Sequence, residues 1–479
     1  MEIPIADGFY RSSSLPISSQ QCVNFYPQVT ATENFQRQSL FGTPGLTQIV
    51  AVTGSHCRGG LEMSDIPYFV FGTSLYRLNS TLVDSVETFT TTNLGTISGT
   101  GNVSMAQNGT ELMVLVPGGN GYIYNDSTSA FSQITDSDFT ANGNPQHVRF
   151  IDGYFVCSTD SKKFIVSNLN QGLVWDALDF GSAEADPDNI VAPHVHNGRL
   201  YLLGSETTQA FQNIGGTSFP FQAIPAFVLP KGCYAPFSVV EGGDTFMFVG
   251  GGEREAPGVW AFAGQGFQKI STEGIDFLLG ELNTTDLENI VGFSYSERGA
   301  SFVGFNLVET TIVYDTSTGR WHERKSRIYD SYGYPAEVAW RASHVVRAYQ
   351  RTLVGDRLSG KIGYADLDVY DEYGEEILRY VVTQPLENET NGFSISRIEA
   401  TTESGAASIN EVEPQIRLSL SRNGEVFGAE RSRSMGKVGE RNKRQIWWKN
   451  GHFPRRASLK FSFSDKAKIA LVKVDADFA

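Results

Sequence analysis

The residues best spaced for chemistry are His194 and His196, which stand two positions apart in a segment with the pattern of a β-strand. Side chains at i and i+2 of a strand lie on the same face, so both imidazoles could bind one metal ion. A zinc site needs at least a third protein ligand, and the sequence places none. We therefore expect two polar residues on the exposed side of a hairpin, with a metal site as the alternative.

Motifs of known catalytic sites do not add to this pair. HExxH, GxSxG and GxxxxGK[ST] do not occur in the sequence, so zinc peptidases, nucleophile elbows and phosphate-binding loops have no support. Ser317–Trp321 and Ser421–Gly424 echo only faintly the Ser-x-Asp-x-Gly-x-Thr-Trp boxes expected of propeller sialidases. We predict no catalytic, cofactor-binding or metal-binding residues, no cofactor, and no enzymatic activity.

A basic, turn-rich stretch at Arg431–Gln445 lies just before Trp447 and Trp448. A basic loop beside aromatic side chains could bind single-stranded nucleic acid. We expect instead a solvated hairpin packed near two structural tryptophans, with nucleic-acid binding as the alternative.

The four cysteines are widely spaced and form no CxxC pair, a pattern typical of reduced, structural thiols in a cytosolic setting. The start of the sequence lacks the pattern of a signal peptide. No apolar stretch approaches the length of roughly 18 residues that a spanning helix needs, so we expect no membrane-spanning segment. The cysteines are Cys22, Cys57, Cys157 and Cys233.

The elements that would carry these residues are strands. Among 479 residues, 32 Phe, 19 Tyr and 49 Gly favour strands and tight turns over helices. A short apolar segment of β-branched and aromatic residues recurs seven times, at separations of 44, 42, 46, 46, 56 and 50 residues. The seven segments start at Tyr68, Leu112, Tyr154, Leu200, Phe246, Phe302 and Thr352.

Each apolar segment has a strand pattern before it and another after it, and in several units Gly or Asn-Gly separates the first two. A weaker fourth strand follows in six units and carries an aromatic residue. Four antiparallel strands per 40 to 50 residues is typical of a propeller blade. The fold class predicted is all-β, with a β-propeller of about seven blades; six or eight blades and a plain array of β-sandwiches are the alternatives.

The ends of the chain differ from this repeat. We expect an extended N-terminal arm at residues 1–50, which could complete a blade, reach a neighbouring subunit or simply close the ring. The propeller then spans residues 51–390. Alternating apolar residues such as Ile416, Leu418 and Leu420 predict a small β-sandwich-like C-terminal domain at residues 391–479.

The sign of the net charge changes at the same place, near residue 391. Residues 391–479 hold 16 basic and 10 acidic residues, a net charge of +6, whereas the first 390 hold 22 and 43, a net charge of −21. An acidic body disfavours tight binding to a phosphate backbone. The basic end could contact an acidic partner, and solubility alone is the alternative explanation.

Four segments of this sequence resemble the packaged-DNA stabilisation proteins of short-tailed phages, or podoviruses. The resemblance spans nearly the whole chain, although Gln209 and Ala210 stand where that family has an acidic position. The segments are QQCVNFYPQVT from Gln20, TPGLTQIV from Thr43, GRLYLLGSETTQAFQNIG from Gly198 and LPKGCYAPFSVVEGGDTFMFVGG from Leu229.

This resemblance implies a structural subunit of the tail hub or nozzle, without chemistry or cofactor. Such proteins form a ring, usually a homo-hexamer, below the portal and its adaptor ring. The ring retains packaged DNA, lets double-stranded DNA pass at ejection without sequence-specific binding, and anchors tail fibres or spikes and a needle. The implied location is the virion tail, with assembly in the host cytoplasm. The alternative is a glycan-binding or glycan-cleaving propeller that acts as the receptor-binding protein.

Overall fold

The computed structural model describes residues 1–478 apart from positions 6, 13, 15–16, 30–37, 55, 85, 187, 217–218, 298, 389–390 and 406–412. The fold is nearly all-β, with about 4% of residues in helices. In the described part of the chain, no helix is long and apolar enough to cross a bilayer.

The described part of residues 1–51 forms six strands. These strands belong to sheets whose other strands lie beyond position 300. They are β1 (Glu2–Ile3), β2 (Tyr10–Arg11), β3 (Ser19–Val23), β4 (Phe25–Val29), β5 (Gln38–Gly42) and β6 (Gly45–Ala51).

Four antiparallel blades of four consecutive strands follow. Their hairpins use residues that tolerate positive φ: Asn197 and Gly198 have φ of 48° and 70° between the first two strands of the fourth blade. The strands are β7 (Cys57–Met63), β8 (Ile66–Phe71), β9 (Ser74–Val83), β10 (Val86–Thr96); β11 (Ser104–Gln107), β12 (Glu111–Val116), β13 (Asn120–Asn125), β14 (Ala130–Gln133); β15 (Pro145–Ile151), β16 (Tyr154–Thr159), β17 (Lys163–Asn168), β18 (Gln171–Ser182); β19 (Ile190–His196), β20 (Arg199–Gly204), β21 (Thr208–Asn213) and β22 (Phe221–Leu229).

The fifth and sixth blades are also built from consecutive strands, and two short helices lie between them. The inner strand of the fifth blade is broken into two pieces around a 3₁₀ turn at Pro236–Ser238; another 3₁₀ turn lies at Ser137–Thr140. The elements are β23 (Gly232–Cys233), β24 (Val240–Gly242), β25 (Thr245–Gly251), β26 (Gly258–Phe262), β27 (Phe267–Lys269), α1 (Glu273–Gly280), α2 (Thr284–Glu288), β28 (Val291–Glu297), β29 (Ala300–Asn306), β30 (Thr311–Asp315), β31 (Arg320–Tyr329) and β32 (Pro335–Ala339).

A composite sheet closes the ring between the sixth and first blades. It consists of β33 (Ala342–Ala348), β34 (Arg351–Asp356) and β35 (Lys361–Asp366), and β6 from the start of the chain pairs with β35 as its outer strand. Two short strands, β36 (Asp371–Glu372) and β37 (Glu375–Glu376), extend it beyond β6. The inner strands β33 and β7 are neighbours, so the ring is closed.

A separate apolar core fills each space between neighbouring sheets of the ring. Both faces of a blade are therefore buried, which explains the nearly continuous apolar second strands. The predicted propeller is confirmed. The predicted number of about seven blades is corrected to six blades of consecutive strands, which was one of the alternatives; the unit at Thr352 lacks a fourth strand of its own because β6 occupies that place.

The predicted C-terminal β-sandwich is also confirmed, and both ends of the chain build it. One sheet has the order β4-β5-β46-β40-β43, with β1 on β46 and β44 on β40. In the other, β3 lies between β31 of the sixth blade and β38, and the order continues β45-β41-β42. The division at residues 50 and 390 stays a prediction. The remaining strands are β38 (Arg379–Val382), β39 (Leu386–Glu387), β40 (Phe393–Thr402), β41 (Gln415–Ser421), β42 (Arg431–Ser434), β43 (Gln445–Trp448), β44 (His452–Phe453), β45 (Arg456–Phe463) and β46 (Ala470–Phe478).

Candidate functional site: a clamped junction and exposed hairpin tips

The two histidines of β19 point to one face, as their spacing predicts, and meet Glu241 of β24 in the next blade. His194 Nε2 and His196 Nδ1 each lie 3.0 Å from Glu241 Oε1. Both imidazoles are buried, so the prediction that they lie on the exposed side of a hairpin is wrong; the neighbouring blade covers this face. Among the described residues, no group of three or more His, Cys, Asp or Glu could hold a metal ion. The pair acts as a link between two blades.

Protonation of these groups follows from their burial. Loss of hydration lowers the pKa of His194, so its neutral imidazole donates to the carboxylate. Burial also lowers the pKa of His147 to about 3, of His322 to about 3 and of His344 to about 4. These side chains stay uncharged near neutral pH and fill the interior.

The Ser-Thr-Gly-Arg-Trp turn is held by local hydrogen bonds. Asp315 Oδ1 accepts from the Ser317 N–H at 2.8 Å, and Asp315 Oδ2 accepts from Thr318 Oγ1 at 2.8 Å. Trp321 is buried and its Nε1 donates to Ile270 O at 3.0 Å. The residues that echo a sialidase box therefore shape a blade turn.

Several side chains of the basic stretch bind neighbouring residues, among them Arg433, whose Nε donates to Ile446 O at 2.7 Å. Arg444 forms two hydrogen bonds with Glu399, at 2.7 and 2.8 Å. Trp447 is fully buried and its Nε1 donates to Arg431 O at 2.7 Å, whereas Trp448 is 59% exposed. The expectation of two structural tryptophans is correct for Trp447 and wrong for Trp448, because successive residues of a strand face opposite sides of the sheet.

All four cysteines are buried and free. Burial raises the pKa of each thiol, to about 12 for Cys57 and Cys233. Since the thiolate is the reactive form, these side chains are not nucleophiles at neutral pH.

The junction between ring and sandwich is joined by Asn24, a residue whose role the motif search did not identify. Its amide nitrogen donates to Lys325 O at 2.9 Å and Leu378 O at 2.8 Å, and its Oδ1 accepts from the Lys325 N–H at 3.0 Å. Its φ is 55°, a left-handed conformation that Asn adopts more readily than most residues. In the sequence, Asn24 is the Asn of the segment QQCVNFYPQVT, which is one of the segments that carry the family resemblance. The last residue of that segment, Thr30, lies outside the described residues. One side chain thus connects the arm, the sixth blade and the sandwich.

Buried charges surround this junction. The Arg324 guanidinium carbon lies 3.4 Å from the ring centroid of Trp340, whose Nε1 donates to Glu372 Oε1 at 2.8 Å. Arg341 donates from Nε and one terminal nitrogen to Asp356 Oδ2 at 3.1 and 2.9 Å. Burying such pairs is costly unless their geometry is good, so they favour one arrangement of the sixth blade and the composite sheet over others.

Hairpin tips and a bulge of β18 carry the most exposed large apolar side chains among the described residues of the ring. In the β31–β32 tip, Asp330 Oδ1 accepts from the N–H groups of Tyr332 and Tyr334 at 2.8 Å each, while the two phenol rings face solvent. Leu82 near the β9–β10 tip and Leu178 in a bulge of β18 are 74% and 79% exposed. Exposed apolar groups at protruding tips are typical of contact surfaces with other proteins.

Two family models together match nearly the whole chain. The family model described as "Bacteriophage P22 Gp10, beta-propeller" matches residues 1–370, and the one described as "Bacteriophage P22 Gp10, beta-sandwich" matches residues 379–479. No curated protein matches the chain.

Solved structures show a looser likeness. The N-terminal domain of Nup159 is 11% identical, with 72% of this chain and 98% of that chain covered and a TM-score of 0.40. The WD40 β-propeller domain of Doa1 is 10% identical, with 67% and 97% covered and a TM-score of 0.39. The computationally designed Ika8 protein is 12% identical, with 67% and 100% covered and a TM-score of 0.37. At these values the likeness carries no inference about function.

Proposed function

The chain belongs to the family of the bacteriophage P22 Gp10 protein, and on that premise we propose that it is a hub or nozzle subunit of a short-tailed phage. Family membership makes it a structural phage tail protein that assembles with other virion proteins. In the proposal, six copies form a ring below the portal and its adaptor ring. The ring retains packaged DNA and anchors tail fibres or spikes and a needle.

Charge supports passage of DNA through such a ring. The first 390 residues carry a net charge of −21 and the remainder +6. Double-stranded DNA binds proteins largely through its phosphates, and an acidic body repels them. DNA would therefore slide past the propeller without sequence-specific binding.

Exposed hairpin tips support the anchoring role. Tyr332 and Tyr334 are 86% and 70% exposed, and the β9–β10 tip adds Leu82 and Val86. Aromatic side chains in particular are enriched where proteins contact each other. We propose that these tips contact neighbouring virion subunits.

A non-enzymatic role accords with the state of the reactive side chains. His194 and His196 are engaged by Glu241, and the cysteines are buried thiols. In the proposal the chain works in the virion tail after assembly in the host cytoplasm.

The observation that carries the proposal is the match of both family models over nearly the whole chain. Its test is the mass of the purified chain in solution, with and without a portal adaptor ring, together with electron micrographs of the mixture. We expect a sixfold ring on the adaptor. A chain that stays monomeric with the adaptor and instead binds or cleaves glycans would contradict the proposal.

The tips are tested in the same assay. The double variant Tyr332→Ser, Tyr334→Ser should form fewer rings while keeping the unfolding temperature of the unaltered chain, because both side chains face solvent. Val308→Ser, which changes a half-exposed apolar residue in a short blade turn, is the matched control. Equal ring formation by the double variant and the control would exclude this tip from the contacts.

A further inference from the structure

The third blade carries an exposed surface that is both acidic and apolar, at the place where β18 bulges out of its sheet. Leu173, Val174 and Leu178 are 39%, 41% and 79% exposed there, and Asp176 and Asp179 lie among them. We call these five residues the acidic face. Burial raises the pKa of Asp179, and so does the charge of Asp176, because the two carboxylates repel each other. Among the described residues, no basic side chain forms an ion pair with either of them, so a cation from outside the blade would relieve this repulsion.

The blades around the acidic face contain few basic residues. Residues 104–188, which form the second and third blades and the loop that follows them, hold 3 basic and 11 acidic residues, a net charge of −8. Charges of one sign on one part of a surface add to a field that attracts a partner of the opposite sign. The acidic face is therefore suited to a positively charged partner.

The sandwich carries the opposite charge on the side where its two sheets end in β42 and β43. Residues 431–449, which we call the basic edge, hold 7 basic and 1 acidic residue, a net charge of +6. Burial lowers the pKa of Arg431, and the charge of Arg433 lowers it further, because the two guanidinium groups repel each other. The exposed Trp448 belongs to the same segment. Within the described residues, five basic side chains of the basic edge form no ion pair with a carboxylate: Arg431, Arg433, Lys437, Arg441 and Lys449.

The fold places the acidic face and the basic edge at opposite ends of the chain. The sandwich joins the ring at the sixth blade and the composite sheet, and the third blade is separated from each of these by two other blades. In the sheet that continues from β31 through β3, the strands β38, β45 and β41 precede β42, which is the last. No hydrogen bond or ion pair between described residues joins β40–β46 to the first five blades. The two surfaces therefore do not meet within one copy.

We propose that the basic edge of one copy of this chain binds the acidic face of the next copy. The contact relieves the repulsion within each surface and brings Trp448 against the exposed apolar side chains around Leu178; tryptophan and arginine are the residues that most often dominate contacts between proteins. Because two different surfaces at opposite ends of the chain meet, the contact is head-to-tail, and repeated head-to-tail contacts close into a ring. The inference rests on the ring of copies proposed above and assigns the two surfaces that form it.

Two full-length chains with reversed charges test the contact, each mixed with the portal adaptor ring while ring formation is followed by mass and by electron micrographs. The first carries Asp176→Lys and Asp179→Lys, and the second carries Lys437→Glu and Arg441→Glu. Each alone then presents like charges at every contact, so its concentration for half-maximal ring formation should rise at least about tenfold. An equimolar mixture of the two should recover the concentration of the unaltered chain. In a ring with an even number of copies, alternating chains restore opposite charges at every contact.

The matched control is the double variant Glu281→Lys, Glu309→Lys, which makes the same change in charge at two exposed positions outside both surfaces and should form rings like the unaltered chain. Rings formed equally well by each reversed chain alone would overturn the inference and leave the tail role intact. Loss of rings in the control, or a mixture that does not recover them, would also overturn it, because the two surfaces would then not bind each other.

An unaltered chain that forms no ring on the adaptor would instead overturn the tail role, and this inference with it. If a reversed chain does not fold, Leu178→Ser and Trp448→Ser replace the pair, since both side chains are largely exposed. Each should raise the concentration for half-maximal ring formation, and unchanged values would refute the assignment.

Discussion

Replacing His322 by phenylalanine should make the protein less sensitive to acid. His322 lies on β31 with no exposed surface, and neither ring nitrogen has a hydrogen-bond partner. Its ring meets Phe302 edge-on at 5.7 Å and lies 6.5 Å from Tyr26. Phenylalanine keeps a flat ring in this aromatic pocket and cannot take up a proton.

The magnitude follows from the protonation of the two states. Burial lowers the pKa of His322 from 6.5 to about 3. Between these two pH values the unfolded chain therefore has a protonated imidazole at this position, whereas the folded chain has a neutral one. The stability this residue contributes is therefore present above pH 6.5 and is lost as the pH falls towards 3. Between pH 7 and pH 5 the loss is on the order of 2 kcal/mol, at about 1.4 kcal/mol per pH unit once the unfolded histidine is charged.

The assay is urea unfolding of both proteins at pH 7 and pH 5. We expect the stability of His322→Phe relative to the unaltered chain to improve by about 2 kcal/mol on going to pH 5. His452→Phe, at an exposed position, controls for the loss of one histidine. If His322→Phe and the unaltered chain lose equal stability between the two pH values, the reasoning about a buried, unpartnered imidazole is refuted.

Three further predictions concern the ring. Arg58→Met should lower the free energy of unfolding by about 3–5 kcal/mol, because it leaves three carbonyl groups without their hydrogen-bond donor. The guanidinium donates to the carbonyls of Gly101, Gly72 and Ser98 at 2.5, 2.6 and 3.0 Å. The midpoint of urea unfolding measures the loss. Gly304→Ala should cost about 1–3 kcal/mol in the same assay, since its Cβ would lie 2.2 Å from Phe293 Cζ, whereas Gly280→Ala, with open space around it, should cost less than 1 kcal/mol. The four cysteines should react with a thiol reagent only after unfolding, and labelling of the native chain on a timescale of minutes would contradict their burial.

Most of the ring could be predicted from the sequence because the strands of each blade are consecutive in the chain. The apolar segment from Leu112 to Val116 and its neighbours pair with strands only a few residues away, and each blade buries both faces. The repeat in the sequence therefore predicts the blades.

The same reasoning does not predict the pairing of strands that are far apart in the sequence. The sandwich places β3 beside β38 and β5 beside β46, more than 350 residues apart, and no short periodicity records such partners. The burial of His194 and His196 was missed for a related reason: the alternation of one strand does not show that the next blade covers its polar face.

The pairing of the earliest residues with the last ones has a consequence for how the protein is made. On the ribosome, β3 to β6 emerge more than 300 residues before their partners β35, β38 and β46. Until then both the ring and the sandwich keep open strand edges, which invite aggregation. The fold is therefore completed only after β46 has been made, and a product that stops before β46 leaves the sandwich strands β5 and β40 without that partner.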